Sequence, residues 1–322
     1  LVDEGDAFNE ILHNKSLNKI KSRGIFQKVN SKILDGSEPN LKVIQIEIEE
    51  KATGEISAGA GVGTSGSTIG FGIRENNYLG KGIRVKTNVQ FTGNAVKGEL
   101  SFSNPNYKNT ENSLFTRLSS TSTDNLDDFG YKTNIYEFAF GTDYEKYEDL
   151  IFYPSINVNY EQLETTSLAS SSLKKQEGNY FESAFIYTLD YDKRNQNFQP
   201  SDGYRSRFTQ TLPFISNNYE VRNAYNYSKY QEMYNGMVGS FAFGISAVNG
   251  VTGEDVRISK RLYIPERRLR GFEKGKIGPI ENSDYIGGNY SATINFSTTL
   301  PDLFPESEST DFKLFFDSAS LW

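Results

Sequence analysis

Asp149-Leu150-Ile151-Phe152-Tyr153-Pro154-Ser155-Ile156-Asn157-Val158-Asn159-Tyr160-Glu161 decides the fold. Leu150, Phe152, Ile156, Val158 and Tyr160 share one face of an extended chain, opposite Ser155, Asn157, Asn159 and Glu161. Side chains of a strand point alternately to its two sides, so this segment has one oily face and one wet face. The same split recurs nearby. Tyr136, Phe138 and Phe140 stand against Glu137, Ala139, Gly141 and Asp143, and Phe181, Phe185, Tyr187 and Leu189 against Glu182, Ala184 and Thr188. From Glu55 onward about thirteen such segments follow one another as a meander, divided by Gly, Asn, Asp, Ser and Pro clusters. Their length of about 10 to 16 residues exceeds the soluble norm and suits a tilted bilayer crossing. No blade-length repeat is present, which disfavours the rival reading of a large soluble sandwich or propeller.

Composition points the same way. The 322 residues include 20 Tyr and 23 Phe interleaved with polar residues, and no apolar run approaches the roughly 18 residues of a spanning helix. Membrane residence must therefore use strands, with Tyr144, Tyr147, Tyr153, Tyr191, Tyr225 and Tyr227 near strand ends as interfacial girdle candidates. In lipid every backbone donor and acceptor needs a partner, and single-chain bacterial barrels close with even strand counts. The chain is accordingly read as a fragment holding about thirteen of an expected sixteen strands, the remainder lying beyond Trp322.

Residues 1–50 read differently. Two short helical patches, around Phe8 to His13 and Ser16 to Arg23, precede two strands, the second with Ile44, Ile46 and Ile48 on one face. This is a small soluble α+β unit lacking its first strand. After the polar hinge Glu49-Glu50-Lys51-Ala52-Thr53-Gly54 the helical signal ends, and residues 55–322 read as barrel.

Catalytic chemistry finds little support. With no cysteine and the single histidine, His13, in the soluble unit, a Ser-His triad, a Cys-His pair and a histidine metal site are excluded or disfavoured, and the protein is read as no enzyme. No cofactor is expected. Gly59-Ala60-Gly61-Val62-Gly63 superficially has the glycine spacing of a dinucleotide loop but lacks the helix that must follow. Asp124, Asp127 and Asp128 read as a solvated hairpin loop before a divalent-cation site. The net charge of -7 argues against a nucleic-acid partner.

Four stretches, in this order, resemble the outer-membrane insertion-porin superfamily, also called the bacterial surface antigens, and within it the barrel-assembly factors. They are Gly24-Ile25-Phe26 with the Glu-Glu-Lys hinge; Asn76-Asn77-Tyr78-Leu79-Gly80-Lys81-Gly82; Asp192-Lys193-Arg194-Asn195 with Pro200-Ser201-Asp202-Gly203-Tyr204; and Arg268-Leu269-Arg270-Gly271-Phe272. The resemblance implies that residues 1–50 are part of the last POTRA domain, in the periplasm. It implies an outer-membrane barrel that inserts other barrels, with unfolded outer-membrane proteins as substrates, lipid around it, and accessory lipoproteins and a periplasmic chaperone as partners. Leu269, Arg270, Gly271 and Phe272 match an external loop that folds back into the lumen, where the arginine pairs with the aspartate of a Phe-x-Asp-x-Gly pattern. Here that pattern reads Phe315-Phe316-Asp317-Ser318-Ala319, with alanine in place of glycine.

Alternation agrees with this pairing. With Phe312, Leu314 and Phe316 outward, Asp317 faces inward, and Asn295 faces inward by the same count from Ile294 and Phe296. Arg270 is expected to bind the Asp317 carboxylate and donate to the Asn295 amide; the alternative is an ordinary solvated loop arginine. The first strand, with Ile56, Ala58, Ala60 and Val62 alternating with Gly59, Gly61 and Gly63, is expected to be short and weakly packed. It would form one side of a lateral seam to which a substrate strand adds by β-augmentation; the alternative is that its glycines serve a tight bend. Rival functions are a porin-like channel and a sister-family secretion barrel.

Overall fold

The computed structural model describes residues 5–38, 41–63, 66–110, 112–167, 169–234, 236–273, 275–281, 284–300 and 312–322. The side chain of Asp128, one of the three loop aspartates, lies outside that description.

The first element is one helix, α1 (Glu10–Ser22), where two patches were expected. Asn9 caps it by accepting from the backbone N–H of Ile11 and Leu12. The polar run through Asn14 and Ser16 does not break it, because the Ser16 hydroxyl donates back to the Leu12 carbonyl. Strands β1 (Phe26–Asp35) and β2 (Lys42–Glu50) form an antiparallel pair, with Ile33 opposite Ile44 and Val29 opposite Ile48. His13 is buried at their contact with α1, its Nε2 3.0 Å from Ser31 Oγ, a structural position.

Thr53 joins this unit to the sheet. Its carbonyl accepts from Asn76 N–H and its hydroxyl hydrogen-bonds Glu75. The strands that follow are β3 (Gly54–Gly63), β4 (Gly66–Tyr78), β5 (Ile83–Thr92), β6 (Ala95–Asn104), β7 (Ser113–Asn125) and β8 (Tyr131–Tyr147). Then come β9 (Leu150–Thr165), β10 (Gly178–Asp192), β11 (Gly203–Ser216), β12 (Glu220–Glu232) and β13 (Val238–Gly250). A long loop carrying the two-residue pair β14 (Ile280–Glu281) and β15 (Asp284–Tyr285) leads to β16 (Tyr290–Leu300) and β17 (Phe312–Leu321). Apart from β14 and β15, these form one antiparallel sheet of thirteen strands in sequence order from β3 to β17. Each neighbour pairs with the next, as a barrel wall requires. Among the described residues the wall is open between β3 and β17.

Register fixes the two faces. Phe138 lies opposite Val158, Phe185 opposite Ile156 and Phe241 opposite Phe296, so the apolar positions of successive strands share the outer face. Aromatic rings touch across this face in two runs. One passes Tyr144, Phe152, Tyr187 and Phe208 on β8 to β11; the other passes Tyr191, Tyr204, Tyr227 and Phe243 on β10 to β13. Tyr144, Tyr191, Tyr225 and Tyr227 thus belong to an outer aromatic belt. Tyr153 does not. It pairs with Thr188 on the inner face, because only even positions of β9 point outward.

The turns carry the motif residues. The turn after β4 bends through Leu79, Gly80 and Gly82, all at positive φ, and Asn77 Oδ1 accepts from Gly82 N–H. Between β10 and β11, Asp192 holds Arg194 bidentately and Asn195 Oδ1 accepts from Ser201 and Asp202 N–H. Helical signal does not end at the hinge, contrary to expectation. One-turn helices α2 (Leu126–Phe129) and α3 (Ser171–Lys174) occupy the connections β7–β8 and β9–β10, where the long loop packs over them.

The two-faced wall makes a prediction. A lysine at Phe138, on the outer face, should destabilise the folded protein in vesicles by about 2 to 4 kcal/mol. Ser119→Lys, on the inner face opposite Glu137, should be tolerated. Equal denaturant midpoints for the two variants would contradict the assignment of faces.

Candidate functional site

The segment 251–289 between β13 and β16 is far longer than an ordinary hairpin connection, and such loops are generally functional. Its buried apolar residues pack against the inner side of the wall. Val256, Leu262, Ile264 and Leu269 cluster with Val248 and Leu321 of the wall, and Ile258 joins Tyr131, Leu163, Ala169 and Leu173. A backbone bridge between Leu262 and Gly288, with N–H···O distances of 2.7 and 3.0 Å, folds the loop on itself. At Gly287, φ is +66° and a Cβ would lie 2.8 Å from the Leu262 carbonyl oxygen, so only glycine fits there.

Near the sheet edge, the loop delivers Arg270 to Asp317 on β17. Arg270 Nε donates to Oδ2 and Nη2 to Oδ1, both at 2.7 Å, and the Arg270 backbone N–H donates to Oδ2 at 3.1 Å. The guanidinium also stacks 3.7 Å above the Phe315 ring. Hydrogen bonding to Asp317 raises the Arg270 pKa above its ordinary value, outweighing the effect of burial. Sequence reasoning brought Arg270 and Asp317 together and missed the stack on Phe315, which alternation places inward beside Asp317.

Asn295 is in the site, in a different role from the one expected. It lies opposite Asp317 in register, and its Nδ2 donates 2.8 Å to Asp317 Oδ1 and 2.8 Å to the Arg268 carbonyl. Its Oδ1 accepts from Arg268 Nη1 at 3.2 Å, not from Arg270, because Asp317 already engages the Nε–Nη2 edge of the Arg270 guanidinium. Arg268 Nη2 reaches Asn226 on β12 at 3.0 Å. Burial and the neighbouring Arg267 charge lower the Arg268 pKa, in keeping with two neutral amide partners. Leu269 is buried between the two arginines, Gly271 turns the chain at φ +84°, and Phe272 is exposed.

A second arginine lies deeper. Arg257 Nη1 is 3.0 Å from Glu161 Oε2 on β9, and Nη2 is 3.0 Å from Glu220 Oε2 on β12 and 3.6 Å from Glu182 Oε2 on β10. Its backbone N–H donates to Glu220 Oε1 at 2.7 Å, and its guanidinium lies 4.4 Å from the centre of the Tyr180 ring. Burial pulls its pKa down, but Glu220, Glu161 and Glu182 together raise it. Lys260 adds a bond of 2.9 Å to Glu182, and Ile258 N–H donates to Gln176. Sequence reasoning missed this cluster. Its one signal was the inward position of Glu161 and Glu182, which asks for a cation without saying from where.

The first strand meets β4 along its whole length, from Gly54 opposite Glu75 to Gly63 opposite Gly66, so its pairing on that side is complete. Ile56 and Val62 are 84% and 89% exposed. A Cβ built at Gly59 or Gly61 would meet nothing within 4 Å, and neither has positive φ. Neither a tight bend nor a close neighbour calls for these glycines.

An antiparallel wall with an oily exterior and a polar inner face, against which its own arginine-bearing loop packs, defines a membrane barrel with a loop folded into its bore. The Omp85 superfamily domain matches residues 77–322, and the chain belongs to that superfamily. It is 24% identical over 304 residues to the outer membrane protein assembly factor BamA of Neorickettsia risticii, covering 90% of this chain and 40% of that protein. The chain thus spans less than half the length of this curated relative. Its fold is similar to that of Haemophilus ducreyi BamA lacking POTRA domains 1–3, with a TM-score of 0.84 at 19% identity over 100% of this chain and 68% of that one. It is also similar to CdiB from Acinetobacter baumannii, with a TM-score of 0.62 at 10% identity over 99% of this chain and 59% of that one.

Arg270→Ala should cost about 1 to 3 kcal/mol, since a charged hydrogen-bonded pair is lost in a wet setting. Arg270→Lys should recover little, because an ammonium cannot make the two-pronged contact or the stack. Limited proteolysis between residues 266 and 273 reads the effect: faster cleavage in both variants is expected, and wild-type resistance in either contradicts it.

Proposed function

We propose that this protein inserts and assembles β-barrel proteins in the outer membrane. The observation that carries this reading is a glycine-bearing first strand, β3, with Gly59 and Gly61 in open space, in a wall whose inner side carries loop 251–289. If the strand that closes the wall on β3 pairs with it by few hydrogen bonds, that seam can open, and the freed edge presents unpaired N–H and C=O groups, a template for another strand. An unfolded outer-membrane protein that adds a strand there would keep its backbone paired while its oily side chains enter lipid. Strand pairing and apolar burial drive the step, with no nucleotide. Ile56, Ala58, Ala60 and Val62 would meet lipid or substrate on the outer face. Gly59, Gly61 and Gly63 leave the inner face of the seam bare.

In this reading residues 1–50 are the end of a POTRA domain on the periplasmic side, coupled to β3 through Thr53. Accessory lipoproteins would bind there and a chaperone would deliver substrates. The name of the curated relative supports the assignment. The plugged lumen disfavours a steady porin-like channel, as apolar clusters and ion pairs occupy the space an open pore needs.

Crosslinking tests the seam. Single cysteines at Ser57, Gly59 and Gly61, in the full-length protein reconstituted in vesicles, should form disulfides with cysteines in the terminal strand of an inserting barrel. The positions should follow one antiparallel register. Crosslinks scattered over other strands, or insertion at full rate when β3 is covalently tied, would overturn the mechanism.

A further inference from the structure

Two of the loop's arginines, Arg257 and Arg270, sit in unlike surroundings. The Arg257 side chain is 2% exposed and its three carboxylate partners are buried, whereas the Arg270 side chain is 35% exposed. They also grip different parts of the wall. Glu161, Glu182 and Glu220 belong to β9, β10 and β12, and β9 is the middle strand of the thirteen; Asp317 belongs to β17, at the open edge.

We propose that Arg257 is the positioning residue of the loop, fixing residues 255–262 to the middle of the wall so that Arg268 and Arg270 arrive in register at β12, β16 and β17. The inference rests on reading the loop as the plug of an assembly protein, and deepens it.

The physical argument is an asymmetry. If Arg270 is removed, one carboxylate is left: Asp317 is 3% exposed, but it keeps the Asn295 amide, and a guanidinium that is itself 35% exposed no longer covers it, so water can reach it while Ile258, Val256 and Leu262 stay packed. If Arg257 is removed, three carboxylates remain together in a site without water access, an arrangement that buried charges do not tolerate. Water must then enter, and the neighbouring apolar residues lose their packing. The disturbance reaches Leu269 because Leu269 shares a cluster with Val256 and Leu262. Other contacts fix the same segment: Asn218 Nδ2 donates to the Asp255 carbonyl, Gln176 accepts from Ile258 N–H and Lys260 pairs with Glu182. The loop therefore acts as a brace from mid-wall to edge, with its fixed end at Arg257 and its adjustable end at Arg270.

The chain has no cysteine, so a single reporter within it is clean once any cysteine elsewhere in the full-length protein is replaced by serine. Ser259→Cys reports the fixed end, where the native hydroxyl oxygen is buried, and Leu269→Cys reports the tip. Maleimide labelling would be followed with the full-length protein in phosphatidylcholine vesicles. Arg257→Met should speed labelling at both positions by about tenfold or more, the size of a modest local opening. Arg270→Ala should speed it at Leu269→Cys alone. Arg257→Lys, which keeps the charge, should restore protection at the tip in part. Should Arg257→Met fail to fold, Glu161→Gln removes one ion pair from the same cluster at constant shape, and should expose both reporters to a smaller degree. Exposure of both reporters by Arg270→Ala, or of neither by the Arg257 and Glu161 variants, would overturn the proposal. Barrel insertion measured on the same samples separates the two ideas. If the asymmetry holds but the wild-type protein inserts no substrate, the functional reading falls and the anchor stands.

Discussion

Main-chain hydrogen bonding in a medium without water is the constraint from which the rest of this structure follows. A peptide group in lipid has no partner but another peptide group, so the chain must pair with itself continuously or not cross at all. Every strand from β4 to β16 in the sheet pairs on both sides, and simple alternation then sorts all side chains into two populations. The outer population is mainly apolar and aromatic, and the belt from Tyr144 through Phe208 is made by rings in contact, with the Tyr187 hydroxyl donating to Gln210. The inner population is polar. Its charges must be hydrated or paired, and the long loop does much of that pairing.

Arg257 and Arg270 show how the same side chain serves two purposes according to its exposure. At Asp317 a guanidinium that is itself partly exposed finds a two-pronged carboxylate and an aromatic face in Phe315. At Arg257 it neutralises carboxylates from three strands out of reach of solvent. A buried pair gains little over an apolar one, but breaking it leaves a charge stranded. Such a cluster is suited to fixing one arrangement of the loop.

The seam strand owes its character to what is missing. Gly59 and Gly61 face empty space, so they are explained neither by crowding nor by backbone conformation. What they do is leave the inner wall beside the open edge without side chains, and that concerns whatever lies against it. The small helical unit at the other end of β3 is joined to the same hairpin by Thr53 and Glu75, so the first strand is held at that end.

The sequence by itself determined the wall. Period-2 alternation marked the strands, fixed the inward side of Glu161, Glu182, Asn295 and Asp317, and placed the motif turns at Asn77 and Asn195, because alternation and turn chemistry are local properties of the chain. The union of α1 and the one-turn helices α2 and α3 were not legible: a back-bonding Ser16 and packing under the loop decide them, against weak local signals. Tyr153 was misplaced because its position near a strand end was weighed without its parity. Tertiary structure alone decided the lumen. Arg257 is 96 residues from Glu161 and 37 from Glu220 along the chain, and their meeting depends on strand register and on how the loop folds across the bore. Asn295 took the role of buttress to Asp317 for the same reason: alternation says which way a side chain points, and only three-dimensional packing says what it meets.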